Sequence, residues 1–210
     1  MKILAVSDNV DDLLYTSNLK ENIPNVDLIF GCGDMPFAYL EFLVSIYNVP
    51  LLYVPGNHDP VYLPKTPSSH AQGCENIDGC VVDVKGLRVA GLGGSILYKP
   101  NAINQYTQAQ MWKKAVVLAF KIAWKNWKDK RMLDIFIAHS PPLGINDDDD
   151  NAHMGFSAFL WLIKIFKPRY FLHGHTLNFR VNLDPNPSIQ ATEIVNINPK
   201  RIMEVVKNVY

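Results

Sequence analysis

The sequence is poor in cysteine. Its three thiols, Cys32, Cys74 and Cys80, are an odd set without C-x-x-C spacing, which argues against a disulfide framework and a zinc knuckle and fits a reducing compartment. Charge of one sign is also lacking: 20 Lys and Arg stand against 20 Asp and Glu in 210 residues. No basic block supplies the broad electrostatic footprint of a general duplex-binding protein. That disfavours nucleic acid as a partner, although a nuclease needs only a local basic groove. Long hydrophobic runs are missing too. Ile3 to Val6 is too short for the core of a signal peptide. The most apolar helical stretch, Ala115 to Trp127, is interrupted by Lys121 and Lys125, and nothing approaches the ~20 apolar residues of a membrane span. A soluble cytoplasmic protein with no membrane partner is expected.

What is present suits one globular domain over residues 1–210, with 48% apolar and 19% charged residues. No internal repeat is visible, and the only low-complexity tract, Asp147 to Asp150, reads as a solvated loop. Apolar runs predict strands over Lys2 to Ser7, Val26 to Phe30 and Leu51 to Val54, with helices between them over Asp11 to Glu21 and Pro36 to Ile46. That βαβαβ order predicts parallel pairing. Val81 to Val84 and Leu87 to Ala90, joined by Lys85-Gly86, form a predicted hairpin. The longest helix runs from Thr107 to about Lys128, opened by a Thr107/Gln110 capping box. Its stripe of Val117, Phe120, Trp124 and Trp127 is expected to face the core, with the lysines solvated. Leu133 to Ala138 is a strand, Phe156 to Phe166 a helix ended by Pro168, and Arg169 to Leu172 a strand. Runs near Phe179 to Asn182, Ile189 to Val195 and Arg201 to Val206 suggest an antiparallel finish.

The strand ends carry the chemistry. Ser7-Asp8 follows the first strand, Gly33-Asp34 the second and Gly56-Asn57-His58-Asp59 the third. His139-Ser140-Pro141-Pro142 and His173-Gly174-His175 follow later buried strands. Carboxyl ends of strands border the ligand crevice in α/β sheets, so these termini are able to converge. Singly, a Gly-Asp is a turn and a histidine after a strand a core residue. Together they make a mixed nitrogen and oxygen donor set suited to a divalent cation.

The order Asp8, Gly33-Asp34, Gly56-Asn57-His58-Asp59, His139 and Gly174-His175 resembles the calcineurin-like metallophosphoesterase superfamily, with its D-x-H, G-D, G-N-H-[DE], H and G-H-x-H pattern. The stretch from His139 to Gly144, then His153, Gly155, Phe156 and Pro168-Arg169-Tyr170, is similar to a group of small prokaryotic phosphohydrolases within it. The resemblance implies a four-layer α/β/β/α sandwich of two mixed sheets. It implies that Asp34 bridges two metals, that Asn57, His139 and His175 complete the second position, and that Asp8 binds the first. His58, held by Asp59, would then be the general acid or transition-state stabiliser. The implied reaction is hydrolysis of a mono- or diester by a metal-activated hydroxide, without a protein nucleophile.

Two departures qualify it. Val10 stands where D-x-H has its histidine, and Leu177 where G-H-x-H has its second. Both histidines serve the first metal, so one tight site and a weaker or absent second are expected. Manganese is the expected ion, with magnesium, iron or zinc as alternatives. Replacement ligands or phosphate contacts are sought in His153, His173 and Asn9, with His70 and Asp147 or Asp148 as weaker candidates. Gly93-Gly94-Ser95 is a turn or a lining segment. A degenerate single-metal protein that binds a small phosphorylated ligand is the alternative to catalysis. Oligomeric state is left open.

Overall fold

The computed structural model describes residues 1–16, 18–61, 63, 66–148, 150–176 and 187–206. The N-terminal half lays down β1 (Lys2–Val6), α1 (Leu19–Asn22), β2 (Val26–Cys32), α2 (Phe37–Tyr47), β3 (Leu51–Val54) and β4 (Glu75–Asn76). Then come β5 (Val81–Val84), β6 (Leu87–Leu92), β7 (Ser95–Ile96), β8 (Gln105–Tyr106), α3 (Gln108–Asp129), β9 (Ile135–Ala138) and α4 (Ser157–Phe166). The chain finishes with β10 (Tyr170–His173), β11 (Ser188–Ile189), β12 (Thr192–Asn196) and β13 (Lys200–Glu204).

Two large mixed sheets result, one in the order β13-β1-β2-β3-β4 and one in the order β11-β12-β10-β9-β6-β5, while β7 and β8 form a separate parallel pair. Apolar side chains on alternate strand positions go to opposite faces, and this divides the core into three layers. Phe30, Leu52, Val54, Val89, Ile137 and Leu172 meet between the sheets. Leu4, Ile29 and Tyr53 pack outward against Leu19 of α1 and Leu40 and Leu43 of α2. Phe136 and Phe171 pack outward against Leu118 and Ile122 of α3 and Phe159 of α4. The fold is therefore an α/β/β/α sandwich, as the sequence resemblance implied.

Local signals hold where one residue decides the geometry. Lys85 and Gly86 both take left-handed φ values, 51° and 87°, the pair that a two-residue hairpin turn between β5 and β6 requires. Thr107 caps α3 by accepting from Gln110 N at 3.2 Å while Gln110 Oε1 accepts from Thr107 N at 2.8 Å.

Three expectations are corrected. Residues 11–16 form turns, and only Leu19–Asn22 of that stretch is helical. Asp11 Oδ1 accepts from Leu13 N at 2.9 Å, and its other oxygen is held by Lys200 Nζ at 2.6 Å; such side-chain bonding competes with helix start. The chain's finish is only partly antiparallel: β13 is antiparallel to β1, but β12 runs parallel to β10. The run Phe179 to Asn182 lies outside the described residues. The third correction concerns α3. Val117, Phe120, Trp124 and Trp127 point to solvent, exposed by 57%, 75%, 64% and 74%. Met111, Ala115, Leu118, Ala119 and Ile122 face the core instead. Both stripes have helical spacing, and in the observed rotation Lys114 reaches Asp78, Lys121 the Gly79 carbonyl and Lys125 Asp83.

Arg88, 1% exposed, ties the hairpin to the end of α3. Its guanidinium donates to both oxygens of Asp83 at 2.9 and 3.1 Å and to Asp129 at 2.6 Å. Removing one partner of a buried pair costs ~3–5 kcal/mol. Asp83 is itself 36% exposed and Asp129 remains, so Asp83→Ala is expected to cost less, ~1.5–3 kcal/mol, the range of a hydrogen bond to a charged group, and urea unfolding measures it. A loss well under ~1 kcal/mol, the size of an exposed pair, would show that the guanidinium is not relying on Asp83.

Candidate metal centre

The site forms where β1, β2, β3, β9 and β10 end. Asp8, Asp34, His139 and His175 each present one ligand atom, and these atoms lie within 4.8 Å of one another. Asp8, Asp34 and His175 all have left-handed φ values, 63°, 54° and 67°. That conformation is uncommon outside glycine and clusters at functional sites. The glycines of the motifs make room for these side chains. A Cβ at Gly56 would collide with the Asp34 carboxylate, and one at Gly174 with Ser7 Oγ and Asp8.

Each imidazole is oriented by a backbone carbonyl. His139, fully buried, places Nδ1 2.9 Å from the Cys32 carbonyl, to which Nδ1–H donates, so Nε2 is the ring atom that faces the cluster. Nε2 is 3.0 Å from Asn57 Oδ1 and 3.3 Å from Asp34 Oδ2. His175 Nε2 is 2.8 Å from the Ala152 carbonyl, which leaves Nδ1 as its ligand atom. The two rings are 4.7 Å apart between centroids. Fixing one ring nitrogen so that the other faces a cation is how metal-binding histidines are set.

The electrostatics agree with a cation at this place. Burial opposes charge on His139, yet Asp34 and then Asp8 raise its proton affinity to a pKa of about 9; the same field attracts a metal ion in competition with the proton. Burial, followed by the charge on His139, pushes His175 down to about 3, so its ring is neutral and able to ligate. Burial pushes the Asp34 carboxyl up, but bonding to His139 and the His58 N–H outweighs it and holds Asp34 below the usual range. Asp8 is raised, chiefly by burial. Two carboxylates, two oriented imidazoles and the Asn57 carboxamide suit a single divalent ion.

A model of the calcineurin-like phosphoesterase family matches residues 1–179. The chain belongs to that family. It is 26% identical to an uncharacterised protein of Methanocaldococcus jannaschii, MJ1162, over 95% of this chain and 89% of that one. The crystal structure of TT1561 of Thermus thermophilus shares the fold, with a TM-score of 0.62 at 22% identity over 93% of this chain and 88% of the other. A Vps29 variant of Entamoeba histolytica is a more distant likeness, with a TM-score of 0.47 at 8% identity over 99% and 87% of the two chains.

Around the phosphoesterase motifs, a cleft of about 530 Å³ is lined by Asp8, Asn9, Asp34, Asn57, His58 and His153, among others. Asp59 does not hold His58. Its buried carboxylate accepts from the backbone N–H of Gly56 at 2.7 Å and of Asp34 at 2.9 Å, so it braces the two ligand loops against each other. The His58 ring is exposed at the lip, and its backbone N–H donates to Asp34 Oδ1 at 2.8 Å, its one hydrogen bond among the described residues. The His153 ring lies tilted against His175, 5.0 Å between centroids, and is held by Asp150 at 2.7 Å. Asn9 reaches the cleft, donating to Asn198 at 3.0 Å. His173 is placed elsewhere. It is fully buried, with Nδ1 donating to the Gly174 carbonyl and Nε2 accepting from Asn146, which uses both nitrogens. His70 sits away from the cleft beside Gln72, and Asp147 is engaged with the Gly155 N–H. Gly93-Gly94 packs on Pro55 and does not line the cleft.

Val10 is partly buried against the core under α1 and α2, so its position offers no donor to the cleft. Leu177 lies outside the described residues. Two lining groups were missed from the sequence. Tyr98 accepts from Asn57 Nδ2 at 3.2 Å, and Asn198 accepts from Asn9. Neither stands in a motif; both arrive from loops that only the folded chain brings to the strand ends.

Proposed function

We propose that the chain hydrolyses phosphate esters with one tightly held divalent ion, manganese fitting the mixed donor set best. The observation that carries this is the convergence of Asp8, Asp34, His139 and His175 within 4.8 Å, with each imidazole aimed by a backbone carbonyl. When bound, such an ion polarises a phosphoryl oxygen and lowers the pKa of water. The chain's own residues do the rest. Asn9, Asn57 and Tyr98 line the cleft with neutral hydrogen-bonding groups for the ester's oxygens. His58 borders both this cleft and a smaller one of about 280 Å³ walled by Met35, Pro36 and Phe37. A leaving alcohol seated in the smaller cleft would take its proton from the His58 ring. Asp59 keeps the loops bearing Asp34 and Asn57 in register.

One observation favours a second reading, a single-metal protein that binds a phosphorylated ligand without turning it over: Val10 is turned into the core, leaving Asp8 without its usual imidazole companion. Manganese titration by calorimetry, paired with turnover of a generic aryl phosphodiester, separates the two. One tight ion with turnover is expected, and any second ion at least ~100-fold weaker, since a missing ligand costs at least what a missing supporting contact does. Tight binding without turnover would establish the second reading. Two equally tight ions would show that other groups replace the lost histidines.

A further inference from the structure

The outward face of α3 is aromatic. Phe120, Trp124 and Trp127 are exposed by 75%, 64% and 74%, and the two indoles touch, with centroids 5.4 Å apart. Single exposed apolar residues are ordinary, but a contiguous set marks an interaction surface.

The two flanks of this crest differ in character. On one side a groove of about 260 Å³ between α3 and α4 is walled by Val116, Phe120, Ala123, Trp161, Ile165 and Phe166, all apolar. On the other side a cleft of about 440 Å³ is lined by Trp124 with Lys121, Lys125 and Lys128, together with Cys80, Val81 and one acid, Asp129. Phe120 borders the apolar groove and Trp124 the basic cleft, so the crest separates the two.

Charge on this layer has one sign. Residues 108–130 hold six lysines and residues 157–167 two, against a single acid, Asp129, in a chain of zero net charge. Asp129 is already held by Arg88. Lys114 and Lys125 are paired with Asp78 and Asp83, while Lys113, Lys121, Lys128 and Lys164 have no ion pair among the described residues.

We propose that the α3/α4 face docks on an anionic lipid bilayer, with Phe120, Trp124 and Trp127 at the headgroup–acyl boundary and the Lys121/Lys125/Lys128 cleft receiving headgroup phosphate. Indole side chains prefer that boundary, and a helix with an apolar aromatic face flanked by lysines lies in the plane of the interface. The order across the crest, cationic then aromatic then aliphatic, is the order of a phospholipid from phosphate to chain. A second copy of this chain is a poor occupant, because apposing two such faces sets lysine against lysine with no free acid between them. An acidic helix seated in the apolar groove would leave Trp127 uncovered, since that residue borders neither hollow. The expectation of no membrane partner rested on the lack of a spanning segment, which does not bear on a peripheral contact. Among the described residues no helix is long and apolar enough to cross a membrane, so the contact is peripheral.

The test uses the full chain with vesicles of equal phosphatidylglycerol and phosphatidylcholine, and with vesicles of phosphatidylcholine alone. Cosedimentation with the anionic vesicles, a blue shift of tryptophan emission and release by salt are expected, salt screening the lysine attraction. Trp124→Asp with Trp127→Asp should weaken partitioning at least ~10-fold with an unchanged melting temperature, because both side chains lie outside the core. Lys121→Glu with Lys128→Glu should weaken it by at least as much at low salt, each basic residue near an anionic surface being worth roughly fivefold. Failure to sediment, equal binding to neutral vesicles, or variants that bind like the parent chain would each overturn the proposal. So would a concentration-dependent dimer abolished by the tryptophan pair, which would assign the face to a second copy. None of these readouts depends on catalysis at the metal centre.

Discussion

His139→Ala is expected to lose the tight divalent ion. The ring is fully buried and is engaged on both sides, by the Cys32 carbonyl at Nδ1 and by Asn57 and Asp34 at Nε2. Its removal takes a ligand and also deprives Asp34 of the partner that, with the His58 N–H, outweighs burial and keeps its carboxyl ionised. Changing a residue that merely supports a ligand already costs ~10–100-fold in metal affinity. Loss of the ligand itself should weaken manganese at least ~100-fold on the same scale and bring turnover to background. Stability should fall as well, by ~2–3 kcal/mol, from the cavity and the unpaired buried groups. His139→Gln keeps most of the volume and one polar contact, so it separates the two effects: a near-parental melting temperature with the ion still lost. Calorimetric titration decides the matter. An ion bound as tightly by His139→Ala as by the parent chain would remove His139 from the ligand set and the proposed centre with it.

His58→Ala should cut turnover of an unactivated ester by ~10²–10⁴-fold, the usual contribution of a positioned general acid. The structure gives a reason for the ion to survive the change. His58 touches the centre only through its backbone N–H, which donates to Asp34 Oδ1 and which alanine retains. The Asp59 carboxylate, bonded to Gly56 N and Asp34 N, continues to hold the loop. An aryl phosphodiester, whose leaving group needs little protonation, should lose much less than an alkyl one. This split distinguishes the missing proton donor from a damaged metal site, which would slow both substrates alike. Full activity on the alkyl ester would show that His58 does not donate the proton, and loss of the ion would show that the ring supports the centre in a way its contacts do not indicate.

Sequence by itself determined the features that a few neighbouring residues decide. The parallel strands β1 to β3, the Lys85-Gly86 turn, the Thr107 cap and the motifs at the strand ends are of this kind, because strand propensity, left-handed turn geometry and capping act over a handful of positions. The family followed from those motifs, and the family's fold from their order. Tertiary structure decided what depends on partners far along the chain. α3 carries two apolar stripes of the same helical period, and periodicity does not say which one turns inward; in the fold Met111, Ala115, Leu118 and Ile122 pack with Phe136, Phe159 and Phe171, and Lys114, Lys121 and Lys125 reach the segment 78–83. Asp59 and His58 are adjacent in sequence, yet the carboxylate finds backbone donors in its own loop and in the loop after the neighbouring strand β2 instead of the adjacent ring. His153 and His173 were both candidates as spare imidazoles, His153 the stronger. Burial gives His173 two hydrogen-bonding partners in the interior and leaves His153 on the cleft wall, since a buried polar ring has to be satisfied by whatever the fold puts beside it.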